Sequence, residues 1–254
     1  MPPSGDPRVL APAPAPAVTE HPYVPAEHAD LSPSHWWIRG RRAVLPALMA
    51  RHLEPGATVL DVGCGAGLLT EVVARRYSVR AVDLDPTSVA KAHDRGIDAT
   101  LLVAGGPLPG PVDAACAFDV MEHTDDDVGF ARSLVAAVRP GGLVVVAVPA
   151  YRWLWTEMDD QIGHRRRYTA AGLRRVMAEA GLVTLQLTYF NSLLLPLIAL
   201  ARAFNPSGAD QVREPAAAVN GLLARVFEAE ERLLRRLRLP AGVSVLYIGS
   251  KLAH

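Results

Sequence analysis

The chain has 254 residues, and at about 150 residues per domain that length predicts one large domain or two small ones. Its 26 Lys and Arg balance its 26 Asp and Glu, which excludes both the net basic footprint of a nucleic-acid binder and an acidic solvating tail. Half of the residues are hydrophobic, enough for a sizeable core, although many of them are alanine. Two cysteines, Cys64 and Cys116, exclude a disulfide framework or a Cys-rich zinc module and suit a reducing cytoplasm. No apolar run approaches the roughly 18 residues of a membrane helix. The opening MPPSGDPRVLAPAPAPAV lacks the continuous apolar core of a secretory signal.

Residues 1–30 are rich in proline and alanine, and 9 of the 21 prolines lie before residue 34. Proline removes amide donors and disfavours helix before it, so this stretch reads as an extended, disordered leader. From residue 34 to 254 the pattern is that of a folded domain. Ser34 is placed to cap a helix over HWWIRGRRAVLPALMARHL, with Pro46 expected to break or kink it and Pro55-Gly56 to stop it. Arg39, Arg41 and Arg42 read as the solvated face of that helix.

Short β-branched runs then alternate with helical segments. Strands are predicted at 57–62, 79–84, 99–103, 112–118, 142–149, 182–189 and 243–252, and helices near 67–76, 86–95, 125–138 and 170–180. Five strands separated by helices imply a parallel, doubly wound α/β sheet. The last two strands are separated by residues 193–240, which depart from the alternation. LLLPLIALARAF is apolar, and a second helix over 216–238 places Val219, Leu222, Leu223, Val226, Phe227, Leu233, Leu234 and Leu237 at helical spacing, interrupted by Glu230. Glu228–Arg232 and Glu231–Arg235 are i,i+4 pairs on its outer face. The segment reads as a helical insertion that packs on the sheet, as a cap over a hydrophobic substrate, or as a peripheral membrane contact.

The most informative stretch is DVGCGAG, residues 61–67, an apolar strand running through a glycine turn into a helix. Glycine lets a ligand touch the backbone, and a helix start offers unpaired amides to an anion. Asp83, 20 residues after Gly63 at the end of the next strand, is placed to accept ribose hydroxyls. The nicotinamide fingerprint G-x-G-x-x-G needs a third glycine where Leu68 stands. Asp61 would repel a diphosphate at this loop and attract the ammonium and sulfonium of S-adenosylmethionine.

DVGCGAG, followed in order by AVDLD, AFDVMEH and VRPGGLVVVAVP, resembles the class I S-adenosylmethionine-dependent methyltransferases over roughly residues 34–190 plus the final strand. HWWIRGRR and MDDQIGHRRRYT are similar to a bacterial subgroup that acts on small molecules. The resemblance implies a Rossmann-like, doubly wound seven-stranded sheet, mostly parallel with an antiparallel last strand. It implies that Asp61, Gly63, Gly65 and Gly67 hold the methionine end of the cofactor, that Asp83 binds the ribose, that Leu84 packs near adenine, and that Asp119 and Val120 line the methyl face. The acid often found after the third strand is replaced here by Val103-Ala104-Gly105-Gly106.

On the acceptor side, His123 and Glu122 follow the fourth strand, where ligands bind in open α/β sheets, and His123 is a candidate base. Asp119, Glu122 and His123 also resemble the metal-binding run of certain quinol-type O-methyltransferases, although no metal is required by the sequence. His164 opens HRRRY, in which Arg166 and Tyr168 are candidate acceptor contacts; the alternative is a surface loop neutralised by Asp159 and Asp160. Trp36, Trp37 and Tyr151 are candidates for an apolar acceptor wall. Cys64 has nothing nearby to activate it. The expected function is methyl transfer to an oxygen or nitrogen of a small, partly apolar metabolite or lipid, with no nucleic-acid partner. The competing readings are a nicotinamide-dependent oxidoreductase and a catalytically silent binding module.

Overall fold

A computed structural model describes residues 31–205, 207 and 213–253; the leader expected over residues 1–30 lies outside them. In chain order the elements are α1 (Trp36–Met49), β1 (Thr58–Val62), α2 (Thr70–Val73), β2 (Ser78–Asp83), α3 (Pro86–Asp94), β3 (Ala99–Leu101), β4 (Val112–Phe118), α4 (Asp127–Ala137), β5 (Val138–Pro149), α5 (Glu157–Gln161), α6 (Ala170–Glu179), β6 (Leu182–Phe190), α7 (Leu195–Phe204), α8 (Ala217–Leu234) and β7 (Ser244–Lys251). Single 3₁₀ turns span Met121–His123 and Arg152–Leu154.

All seven predicted strands form, and they make one sheet in the order β3-β2-β1-β4-β5-β7-β6. The first five are mutually parallel. β7 inserts antiparallel between β5 and β6, so both of its neighbours run against it. The alternation of side chains along each strand feeds two cores. On one face Leu60, Ala115, Val144 and Tyr247 pack under α4 and α6 through Phe130, Leu134, Leu173 and Met177. On the other, Val59, Cys116, Val145 and Ile248 pack under α1 and α8 through Leu45, Leu48, Phe227 and Leu234.

Four local expectations are corrected. His35, not Ser34, caps α1, its Nδ1 accepting from the Trp37 amide at 3.3 Å; the Ser34 hydroxyl donates to Glu214 instead. Pro46 does not break α1, which continues to Met49. It sits among Val44, Leu45, Leu48 and Met49, all essentially inaccessible, and their burial offsets the lost amide bond. The helix expected over 67–76 contracts to the four residues of α2. β3 ends at Leu101, leaving Val103 exposed.

The insertion supplies α7 and α8, and α8 lies along α1. Their contact is tight: a Cβ added at Gly40 would stand 2.0 Å from the Phe227 ring. Asn220 at the start of α8 accepts from the Trp36 amide at 2.8 Å and donates to the Ser34 carbonyl at 2.9 Å. Glu228 pairs with Arg39 across the interface, not with Arg232, whereas the Glu231–Arg235 pair forms as expected. Glu230, the apparent interruption of the apolar stripe, is fully buried and accepts from the Ser192 amide at 2.6 Å. Conversely, Val219, Leu222, Leu233 and Leu237 are exposed.

Candidate active site

The carboxyl ends of β1, β4 and β5 open onto two cavities that share Asp119. The first, of about 210 Å³, is walled by the glycine loop (Gly63, Cys64, Gly65), by Asp61, and by Arg41 and Arg42 of α1. The second, of about 240 Å³, is walled by Trp36, Trp37, Met158, Ile162 and Ile198, with Glu122, His164, Arg167 and Arg202 among the apolar groups.

In the loop cavity Asp61 is buried and accepts a 2.6 Å hydrogen bond from the Thr70 hydroxyl. Burial raises its carboxyl to about 6, with the nearby Asp83 charge adding to the rise and the Thr70 bond opposing it. Gly63 turns at φ +74°, and a Cβ there would stand 2.5 Å from Val120 Cγ2. This is the close contact that ties Val120 to the loop. Gly65, at φ +54°, has open space where a Cβ would go. Gly67 packs the loop against Ala92 and Ile97.

Four of the loop amides are already engaged. Those of Gly63 and Cys64 donate to the Val82 carbonyl, that of Gly65 to Asp83 Oδ2, and that of Gly67 to the Cys64 carbonyl. These four donors are internal, and α2, at four residues, is shorter than the helix expected there. Cations at this cavity come from Arg41 and Arg42. Asp83 is half-buried; its Oδ2 takes the Gly65 amide at 2.8 Å and its Oδ1 the Asp85 amide at 3.0 Å. Each oxygen keeps a second lone pair for a hydroxyl. Leu84 packs against the core beside the end of β2. Burial, together with Asp61 and Asp83, pushes the Cys64 thiol far up, in keeping with an unactivated thiol.

Arg41 is the site residue that the sequence reading missed. It is buried, 2.6 Å from Asp119 Oδ2, with its guanidinium over the Trp37 and Phe190 rings. It stands three, four and seven residues before Val44, Leu45 and Leu48, on the buried stripe of α1, and that spacing was the available signal.

In the second cavity the 3₁₀ turn after β4 carries Glu122 and His123, and the loop after α5 carries His164. The Arg165 amide donates to the Glu122 carbonyl at 2.7 Å, joining the two segments. His123 and His164 meet edge to face, centroids 4.6 Å apart. His164 Nδ1 lies 2.6 Å from Asp159 Oδ1, while its Nε2 lies 3.8 Å from Glu122 Oε1. Burial alone would raise Asp159, but the His164 hydrogen bond, the Arg167 charge and the Thr156 amide together hold its carboxyl far below the ordinary range. Glu122 is completely buried, and neither carboxylate oxygen has a hydrogen-bond partner among the described residues. Burial and the Asp119 charge push it well above the usual carboxylate range despite Arg41 and Arg167.

The arginine run resolves residue by residue. Arg167 grips Asp159 with Nε and Nη2 at 2.8 and 2.9 Å. Arg166 binds Asp127 and the Asp125 carbonyl, away from both cavities. Asp160 instead accepts from the Trp155 indole. Tyr168 is buried in the core with its hydroxyl 3.1 Å from Asp127 Oδ2, so it braces the fold and lines neither cavity. Tyr151 stacks between Trp153 and Tyr189 and likewise lines neither. Asp119, one member of the run that resembles a metal-binding motif, pairs with Arg41 at 2.6 Å. The ligand atoms of Glu122, His123 and His164 lie within 4.8 Å of one another.

Comparison with known proteins bears on this geometry. The model of the methyltransferase domain family matches residues 37–187, more than half of the chain. The ubiquinone biosynthesis O-methyltransferase of Xanthomonas campestris pv. campestris (strain B100) is 34% identical over 113 residues, 41% of this chain and 47% of that protein. That of Caulobacter vibrioides is 36% identical over 110 residues, 39% of this chain and 43% of that protein. The chain thus spans about half the length of the curated relatives it matches. Among solved structures, phosphoethanolamine N-methyltransferase 2 of Haemonchus contortus superposes with a TM-score of 0.53 at 16% identity, covering 81% of this chain and 51% of that one. The cyclopropane synthase MmaA2 of Mycobacterium tuberculosis superposes with a TM-score of 0.51 at 17% identity, covering 91% and 99%. At these identities the structural likeness concerns the fold.

Proposed function

This chain belongs to the methyltransferase domain family, and on that premise we propose that it transfers a methyl group from S-adenosylmethionine to an oxygen or nitrogen of a small, partly apolar acceptor, a metabolite or a lipid. The observation that carries this reading is the shared wall at Asp119, between a cavity at the glycine loop that holds Asp61, Arg41 and Arg42 and a more apolar cavity that holds Glu122 and His164. Transfer between two bound molecules needs two adjoining compartments of that kind.

The residues at the loop fit the donor. The buried Asp61 carboxylate suits its ammonium, Arg41 suits its carboxylate, and the free lone pairs of Asp83 suit ribose hydroxyls. A dinucleotide would set a diphosphate against Asp61 at a loop where four amides already bond internally, so the oxidoreductase reading is not favoured. When bound, S-adenosylmethionine supplies a methyl group already activated on sulfonium. The protein's share of the work is alignment, exclusion of water and removal of one proton.

Asp159 accepts from His164 Nδ1–H, which fixes the tautomer with a lone pair on Nε2. His164 Nε2 takes the proton of an acceptor hydroxyl as the oxygen attacks, or that of an acceptor ammonium beforehand so that the nitrogen lone pair is free to attack. Burial pushes the Glu122 carboxyl toward its neutral form, which lessens the negative charge beside that nitrogen. Trp36, Trp37, Met158 and Ile162 shield the exchange from water.

Calorimetry tests the reading directly. Binding of S-adenosylmethionine with no binding of NAD(H) or NADP(H) is expected, and the reverse result would overturn it. Incubation of a small-molecule extract with methyl-labelled donor should then give a labelled product. Donor binding without any product would favour the silent-module reading. A second reading has one observation in its favour, the convergence of Glu122, His123 and His164, which suits a divalent cation polarising the acceptor. Loss of turnover on chelation, restored by added cation, would select it over His164 as the base.

A further inference from the structure

α8 buries one stripe and leaves another uncovered. The buried stripe, Asn220, Ala224, Phe227, Glu230 and Leu234, faces α1 and the core. Alongside it, Val219, Leu222, Leu233 and Leu237 stand 51, 61, 38 and 54% exposed. Their spacings of 3, 11 and 4 residues all return to one side of a helix. The Leu237 amide bonds the Leu233 carbonyl, so the last of them continues the helical turn.

The charges beside this apolar stripe are one-sided. All three acids of α8 are accounted for: Glu228 pairs with Arg39, Glu231 with Arg235, and Glu230 is buried under the Ser192 amide. Arg225, Arg232 and Arg236, at helical spacings of 7 and 4, are exposed and form no ion pair among the described residues. An exposed apolar stripe flanked by a cationic one is the pattern of a helix lying in the interface of a bilayer, with cations matched to anionic headgroups. The neighbouring α7 repeats the apolar half of that pattern, with Leu197, Leu200 and Phe204 exposed. Its Ile198 and Arg202 line the apolar cavity, so the same helix reaches both the outer surface and the acceptor compartment. No helix among the described residues is long and apolar enough to cross a membrane.

We propose that the outer face of α8 docks this protein onto an anionic lipid surface, with Val219, Leu222, Leu233 and Leu237 entering the interface and Arg225, Arg232 and Arg236 meeting the headgroups. The proposal is independent of the methyl-transfer reading, since none of these seven residues lines either cavity.

The test is co-sedimentation of the full chain with vesicles of phosphatidylcholine alone and of phosphatidylcholine with about one third phosphatidylglycerol. The wild-type protein is expected to bind the anionic vesicles at least tenfold more tightly, and added salt should weaken that binding. The paired variant Leu222→Glu/Leu233→Glu, at exposed positions, is expected to lose at least tenfold in vesicle affinity with unchanged circular dichroism and unchanged donor binding. Arg232→Gln/Arg236→Gln should remove most of the preference for anionic lipid. Equal binding to both vesicle types, no binding to either, or full binding by the Glu variant would each overturn the proposal. So would a dimer on size-exclusion chromatography that the same Glu variant dissociates, because the stripe would then be covered by a second copy.

Discussion

His164 Nδ1 lies 2.6 Å from Asp159 Oδ1, and both side chains are almost wholly buried. The same carboxylate is gripped by Arg167 and accepts from the backbone and hydroxyl of Thr156. Asp159 therefore serves two ends at once: it orients the histidine and it balances a buried guanidinium. Replacing His164 with Gln leaves that balance intact and is expected to lower kcat by roughly 10²–10⁴-fold, with donor affinity within about twofold in calorimetry. Replacing Asp159 with Asn is expected to lower kcat as well, and also to lower stability by about 3 to 5 kcal/mol in urea unfolding, because Arg167 loses its counter-ion. Equal turnover in wild type and His164→Gln would remove the histidine from the proton path.

Asp61 carries a stability cost that the proposed donor-binding role would explain. Its carboxyl titrates at about 6 in the folded chain, against an ordinary value near 3.9 in the unfolded one. The folded state thus holds the proton more tightly. Above pH 6 the buried charge destabilises the ligand-free fold by on the order of 3 kcal/mol. That cost fades as pH falls from 6 toward 4. Asp61→Asn, which keeps an acceptor for the Thr70 hydroxyl, is expected to raise Tm by several degrees at pH 7.5 and by little at pH 4.5. The same variant should lose at least tenfold in affinity for S-adenosylmethionine. A variant that gained stability and kept its affinity would separate Asp61 from the donor.

How far the sequence led can be argued from particular residues. The seven strands were legible because β-branched runs bounded by glycine and proline leave few alternatives. The sheet order was not carried by those runs; only the resemblance implied an antiparallel last strand. Polar residues on apolar stripes were misread. Arg41 and Glu230 occupy buried helix positions and are held there by Asp119 and by the Ser192 amide, partners far away in sequence. α8 carries more apolar positions than one contact face can cover, so periodicity could not say which of them would remain outside. Pairing of the HRRR run with Asp159 was legible from charge alone, but not that His164 and Arg167 would share that carboxylate in a buried position, because a turn through Gly163 folds the segment back.

Arg41 lies between the two compartments, bonded to Asp119 and covered by the Trp37 and Phe190 rings. Its replacement tests whether α1 reports on the donor. Arg41→Gln keeps a polar head but loses the charge, and the expected result is at least a tenfold rise in the dissociation constant for S-adenosylmethionine. Arg41→Lys is expected to rescue little, because a point charge cannot stack between two rings and pair with Asp119 together. Full recovery by lysine would mean that net charge alone matters at this position.

The two leading glycines of the loop separate fold from binding. At Gly63 a methyl group would meet Val120 at 2.5 Å while the backbone stands at φ +74°, so Gly63→Ala combines a clash in a packed region with left-handed backbone strain. It is expected to destabilise the protein by about 2 to 4 kcal/mol and to weaken donor binding with it. At Gly65 the same methyl group would meet nothing within 4 Å, and the strain of the positive φ costs only about 1 to 2 kcal/mol. Gly65→Ala should therefore stay folded, with a modest loss in Tm. Its methyl group adds bulk to a loop that walls the first cavity, so affinity for S-adenosylmethionine should fall by at least tenfold. Thermal unfolding and calorimetry on the two variants distinguish these outcomes. If Gly65→Ala bound the donor as tightly as the wild type, the loop face of that cavity would not be where the donor rests.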